Sequence, residues 1–144
     1  MHHTLKTPAG FTLLEMLITL AVVSILMGIG VSGYLGATQR LTAQNQAEHF
    51  RGLIRDGATL AASRSQALTL SVSGNQIVLR NGSTTVRSAE ITRIQTGLTG
   101  TQSIQFDASG RVVLPGSVSS LNMVINGKTK VLQVSGIGQT RWQP

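Results

Sequence analysis

The chain has 144 residues, room for one domain core and an anchor but not for a multidomain enzyme. Twelve Lys and Arg against five Asp and Glu give a net charge of +7 and a pI near 11.5, yet only 12% of residues are charged and mean hydropathy is +0.17, which excludes a disordered basic tail. Cysteine is absent, so disulfides, zinc ribbons, thiol nucleophiles and cysteine-held iron–sulfur clusters are excluded together, and with aromatics at 3% the core must be aliphatic.

A short polar leader, MHHTLKTPAG, ends in Gly10 and is followed directly by FTLLEMLITL. From Met16 to Gln39 there is no charged residue over 24 positions. As a helix rising about 1.5 Å per residue this run is roughly 36 Å long, enough to cross a hydrocarbon core of about 30 Å. Helices buried in soluble domains are shorter and carry a polar stripe that this run lacks. One reading is a secretory signal cut after the small residues VSG at 31–33, which releases a secreted β-rich binding module. The other places the cut before the apolar run, after Gly10, and leaves the anchor attached.

GFTLLEMLITLAVV, residues 10–23, resembles the class III signal of type IV pilins and type II secretion pseudopilins. The resemblance implies that a prepilin peptidase cuts between Gly10 and Phe11 and N-methylates Phe11, and that Glu15 is the family's assembly glutamate. Later stretches, FRGLIRDGATLAASRSQALTLSVS, FDASGRVV and VSGIGQTRW, resemble the GspH/FimT branch of minor pseudopilins and minor pilins. The implied fold is α+β and pilin-like. A long N-terminal helix, its first half transmembrane over residues 11–38, packs on a head of antiparallel sheet over 39–144, read as two small sheets.

A carboxylate in a membrane helix needs a partner. Cleavage after Gly10 creates one, the α-amino cation of Phe11. Positions 11 and 15 are four apart, on one face of a helix, so the pair can close within a chain or between neighbouring subunits. The glycines Gly28, Gly30 and Gly33 spell a dinucleotide-binding fingerprint with Glu48 beyond them, but no strand precedes them and no βαβ alternation follows.

Residues 39–66 read as helical, with an apolar face of Phe50, Leu53, Ile54, Gly57, Ala58 and Ala61 continuing to Leu68. Arg51, Arg55 and Arg64 read as a solvated face, with Glu48 one turn before Arg51. From Leu68 the period becomes alternating. LTLSVS, QIVLR, TTVRS, EITRI, SIQF, RVVL, LNMVI and KVLQV read as strands separated by glycine-containing turns. The stretch from Thr96 to Gln102 and the tail 135–144 read as irregular.

No catalytic set is apparent. His2 and His3 belong to the leader, His49 stands alone beside Glu48, and the head carboxylates Glu48, Asp56, Glu90 and Asp107 show no paired spacing. Neither a metal nor a cofactor is expected, and no G-x-S-x-G elbow supports a hydrolase. After the apolar run there are 11 basic and four acidic residues. Lys128 and Lys130 share a strand face, and Arg141 stands beside Trp142, a set able to hold phosphates and stack on a base. Some FimT members bind DNA through a G-R-x-R element. The matching stretch here, Gly138-Gln139-Thr140-Arg141, keeps its first and last residues and has Gln139 in place of the first arginine.

Three functions stay open: a minor pilin or pseudopilin at or near the tip of a filament, a DNA-binding minor pilin for natural transformation, and the secreted module. For the first two the partners are prepilin peptidase, other pilin or pseudopilin subunits and the inner membrane, with DNA added for the second. The charges flanking the span, Lys6 before it and Arg40, Arg51 and Arg55 after it, favour a cytoplasmic head if counted literally. Long domains translocate regardless of that bias, and the resemblance implies a single-pass inner-membrane protein with its head in the periplasm.

Overall fold

The computed structural model describes residues 10–143, apart from the side chain of Ser32; most of the leader, with His2, His3 and Lys6, lies outside the described residues. One helix, α1, runs Leu13–Arg64. The backbone divides into two units, Met1–Thr38 and Gln39–Pro144.

In the first unit α1 starts on a capping signal written in the sequence. Thr12, Leu13, Leu14 and Glu15 form the T-x-x-E pattern, and the Thr12 hydroxyl accepts the Glu15 amide at 3.2 Å. Glu15 lies in the first turn, where the helix dipole favours a negative charge. Phe11 precedes the helix and is not one of its residues. The expectation that residues 11 and 15 share a helix face is therefore corrected: Phe11 sits before the cap and its direction is set by the entering chain. Gly28, Gly30 and Gly33 lie within uninterrupted helix, without the turn a dinucleotide site requires. The helix is long and apolar enough to cross a membrane. Every described side chain from Phe11 to Ala37 is exposed.

In the second unit the expected apolar face is buried and extends two turns further back, to Ala43 and Ala47. The helix ends at Arg64, two residues before the expected end, in a Schellman arrangement. Ser65 takes φ 51°, its amide bonds the Ala62 carbonyl, and the Gln66 amide bonds that of Ala61.

Nine strands follow: β1 Leu68–Ser73, β2 Gln76–Asn81, β3 Thr84–Glu90, β4 Ile94–Gln95, β5 Ser103–Phe106, β6 Val112–Val113, β7 Ser120–Ile125, β8 Lys128–Val134 and β9 Thr140–Trp142. They form two antiparallel sheets, one ordered β3-β2-β1-β5-β6 and the other β4-β7-β8-β9. Alternation places Leu68 and Leu70, Ile104 and Phe106, Leu121, Met123 and Ile125, and Leu132 and Val134 inward. These meet Phe50, Ile54 and Ala58 of the helix in one core. The β7–β8 hairpin turns on Asn126 and Gly127 at φ 54° and 72°, the positive pair that a tight two-residue hairpin demands.

Two expectations are corrected. The segment EITRI does not form one strand: β3 continues to Glu90, the chain turns, and β4 begins at Ile94. Ile91 and Ile94 are both buried, and residues three apart on one strand face opposite sides, so burying both requires the break. The tail is not wholly irregular either. Its turn is tied by the Ser135 amide to the Gln139 carbonyl at 2.8 Å and by the Gln139 amide to the Ser135 hydroxyl at 3.1 Å. This returns Thr140–Trp142 along β8. The stretch from Thr96 to Gln102 is irregular as expected.

Candidate functional site

The candidate residues fall in two places: the start of α1 and the edge of the head formed by β8, β9 and the helix.

At the first, Gly10 is exposed, and a Cβ built there meets nothing within 4 Å. No contact with a described residue demands glycine at that position. Phe11 is 75% exposed. The residues on both sides of the Gly10–Phe11 peptide bond are exposed, and one turn on Glu15 makes no ion pair with any described residue.

At the second, Arg51 is not the solvated residue expected. Its Nε donates to the Thr140 hydroxyl and its Nη2 to the Thr140 carbonyl, both at 3.1 Å. Its Nη1 spans both oxygens of Glu48 at 2.9 Å. The guanidinium lies 5.7 Å from the centroid of the Trp142 ring, and the Lys130 ammonium lies 6.0 Å from it. The indole Nε1 donates to Glu48 at 3.4 Å. Trp142 is thus held by two cations and a carboxylate, half-buried against the core.

The pairing of β8 with β9 sorts the candidate DNA-contacting residues. Trp142 lies opposite Leu132 and Arg141 opposite Gln133. Cross-strand partners share a face and neighbours along a strand do not. Trp142 therefore lies on the core side with Lys128 and Lys130, while Arg141 lies on the outer face with Gln133. The outer face there holds a pocket of about 280 Å³ between Ser119, Gln133, Gln139 and Arg141. Gly138 serves the packing: it sits at φ 78°, and a Cβ there would come within 2.7 Å of Ala58 Cβ. The structure thus brings Lys130 to Trp142 and separates Arg141 from both.

Two residues fix loops of the head: Gln46, missed in the sequence, and Asp107, which FDASG places in a turn-like context. Gln46 accepts the Arg93 amide at 2.8 Å and donates to the Thr92 hydroxyl at 3.0 Å, pinning the β3–β4 turn to the helix. Asp107 accepts from the Ser109 amide and hydroxyl and from the Arg111 amide, at 2.9, 2.6 and 2.9 Å. The Ser109 hydroxyl bond, then the Arg111 amide, hold its carboxyl below the usual aspartate range. His49 lines a groove of about 670 Å³ with Asp56 and Arg87, whose ion pair is 3.5 Å long. Among the described residues no three His, Cys, Asp or Glu approach as a metal site would need.

No curated protein sequence matches the chain. A family profile described as the prokaryotic N-terminal methylation motif matches residues 5–31. The chain is similar in structure to the type IV minor pilin FimU of Pseudomonas aeruginosa in two crystal forms, each at a TM-score of 0.55. Identities are 19% and 22%, over 70% and 74% of this chain and 92% of FimU in each case. The chain thus carries the prokaryotic N-terminal methylation motif ahead of a head with the type IV minor pilin fold.

Proposed function

We propose that the chain is a minor pilin or pseudopilin, a structural subunit at or near the tip of a type IV pilus or a type II secretion pseudopilus. Its precursor is cut after Gly10 and N-methylated on Phe11 by prepilin peptidase. The observation that carries this reading is one of placement. The methylation motif, residues 5–31, brackets an exposed Gly10–Phe11 bond, and the same polypeptide continues into a head of minor pilin fold. The protein is the substrate of a peptidase and performs no chemistry of its own.

After cutting, the charge-free run anchors the chain once in the inner membrane with the head in the periplasm. Glu15 then faces a choice of partners. A carboxylate left unpaired in hydrocarbon costs about 2.5 to 3.5 kcal/mol on insertion scales, and more where nothing relieves it. The methylated Phe11 amine of a neighbouring subunit supplies the matching charge. Phe11 stands outside the helix, so this pairing does not depend on a shared helix face. The filament is thus held by apolar helix packing and specified by a buried pair.

The test is a deletion strain scored in parallel for exoprotein secretion, surface piliation and DNA uptake, then complemented with this chain. Loss of secretion or of piliation identifies the filament. Loss of DNA uptake alone transfers the assignment to a DNA receptor, and no loss in any assay contradicts the proposal.

A further inference from the structure

The head's positive charge is not spread evenly around the helix, and one group of it sits where the apolar run stops. Arg40 is the first charged residue after that run. The β7–β8 turn is docked beside it, the Asn126 side chain donating to the Arg40 carbonyl at 3.4 Å. Across the sheet, Ile94 of β4 lies opposite Ile125 of β7, and Ile125 opposite Lys128 of β8. Arg93, which immediately precedes β4, and Lys128, the first residue of β8, therefore stand on either side of β7, at the end of the sheet where Arg40 lies. Gln46 fixes the Arg93 side of this arrangement to the helix. All three cations are exposed, and none has a carboxylate partner among the described residues.

Among the described residues no acid forms an ion pair with the group. Glu48 is two turns further along the helix and committed to Arg51. Glu90, the acid nearest Arg93 in sequence, lies opposite Gln76 in the other sheet.

We infer that Arg40, Arg93 and Lys128 form a basic collar that binds the anionic headgroups of the bilayer in which the chain is anchored. The inference rests on the membrane-anchor reading. The polar layer on each side of a hydrocarbon core is roughly 5 to 8 Å thick, which at about 1.5 Å per residue takes up the first three to five residues after the apolar run. Arg40 falls within them. The chain's single tyrosine, Tyr34, lies six residues earlier and is 70% exposed, the position of an interfacial aromatic anchor just inside the headgroups. Tyrosine and then arginine along the helix is the order that such an interface selects. A lipid surface fits this group because phosphate charge near a membrane attracts Lys and Arg without a shaped pocket.

The test reconstitutes the full chain in phosphatidylcholine vesicles containing a trace of spin-labelled phosphatidylglycerol or spin-labelled phosphatidylcholine. Electron spin resonance then reads the share of each lipid held at the protein. Resistance to alkaline extraction is measured first, and failure to insert contradicts the anchor, not the collar. For inserted protein, labelled phosphatidylglycerol is expected to be preferred about fivefold, with the preference abolished near 1 M salt, where the screening length is about 3 Å. The triple variant Arg40→Gln, Arg93→Gln and Lys128→Gln should lose the preference. A second triple, Arg64→Gln, Arg80→Gln and Arg141→Gln, removes the same charge elsewhere and should keep it. Absence of preference in the unaltered protein overturns the proposal and points the collar to an acidic protein surface. Equal loss in both triples overturns it in favour of net charge alone.

Discussion

Arg51 and Thr140 are 89 residues apart in sequence and joined by two hydrogen bonds, one to the hydroxyl and one to the carbonyl oxygen. Through them the helix holds the last strand, which is three residues long and pairs on one side only. Arg51→Ala is expected to destabilise the head by about 1 to 3 kcal/mol, since charged hydrogen bonds fall in that range and its side chain is only 27% exposed. Arg51→Lys should recover little, because an ammonium cannot grip both oxygens and lie over the Trp142 ring. Denaturant unfolding in detergent gives the stability, and hydrogen exchange should show the amides of Thr140–Trp142 opening first. A wild-type midpoint for Arg51→Ala would mean that β9 holds itself.

Gly138 and Gly136 form a paired test within one turn. Gly138→Ala forces a side chain into φ 78° and against Ala58, whereas a Cβ at Gly136 meets nothing within 4 Å. The first should cost about 1 to 3 kcal/mol and the second stay within about 0.5. Thermal unfolding separates them, and equal Tm values would remove the helix contact from the account.

The Asp107 turn is expected to respond to acid. Its folded pKa is lowered, so the stabilisation is fully present above the ordinary aspartate value of about 3.9 and is lost as pH falls through the lower folded value. Protection of the Ser109 and Arg111 amides should hold at neutral pH and fall at acid pH. Asp107→Ala should lower protection at neutral pH and remove the pH dependence of both amides. A pH response surviving in that variant would assign it to another group.

Glu15→Ala is expected to insert into the membrane at least as well as the parent, because a costly carboxylate is gone, yet to enter the filament several-fold less. Cross-linking to other pilin subunits reads this directly. Undiminished cross-linking would leave Glu15 as a helix-start residue and nothing more.

The N-terminal methylation motif was legible because it is a matter of residue identity: Gly10, Phe11, Thr12 and Glu15 are chemically distinct and close together. The architecture was legible because the hydrophobic period changes sharply at Leu68. Four features escaped for physical reasons. β9 is too short to show alternation, and besides its pairing with β8 it is held at Thr140 by Arg51, far away in sequence. Arg51 itself looks like any charged residue on an exposed helix face, since nothing local distinguishes a guanidinium that meets solvent from one that meets a returning strand. Arg141 and Trp142 are adjacent in sequence and invite grouping, but adjacency along a strand is what places them on opposite faces. Gly138 matched a family element by letter, while its φ and its approach to Ala58 give it a structural reason to be glycine.

Intact-mass and N-terminal fragment measurement on the chain purified from its native membrane tests the central claim most directly, with Gly10→Val as the companion variant. The account predicts a mature chain beginning at Phe11 with one added methyl group, and a Gly10→Val precursor heavier by about a kilodalton that stays in the membrane, since a branched side chain hinders the peptidase's approach to the backbone. A mature chain that begins after residue 31, or a Gly10→Val variant processed and methylated normally, would contradict it.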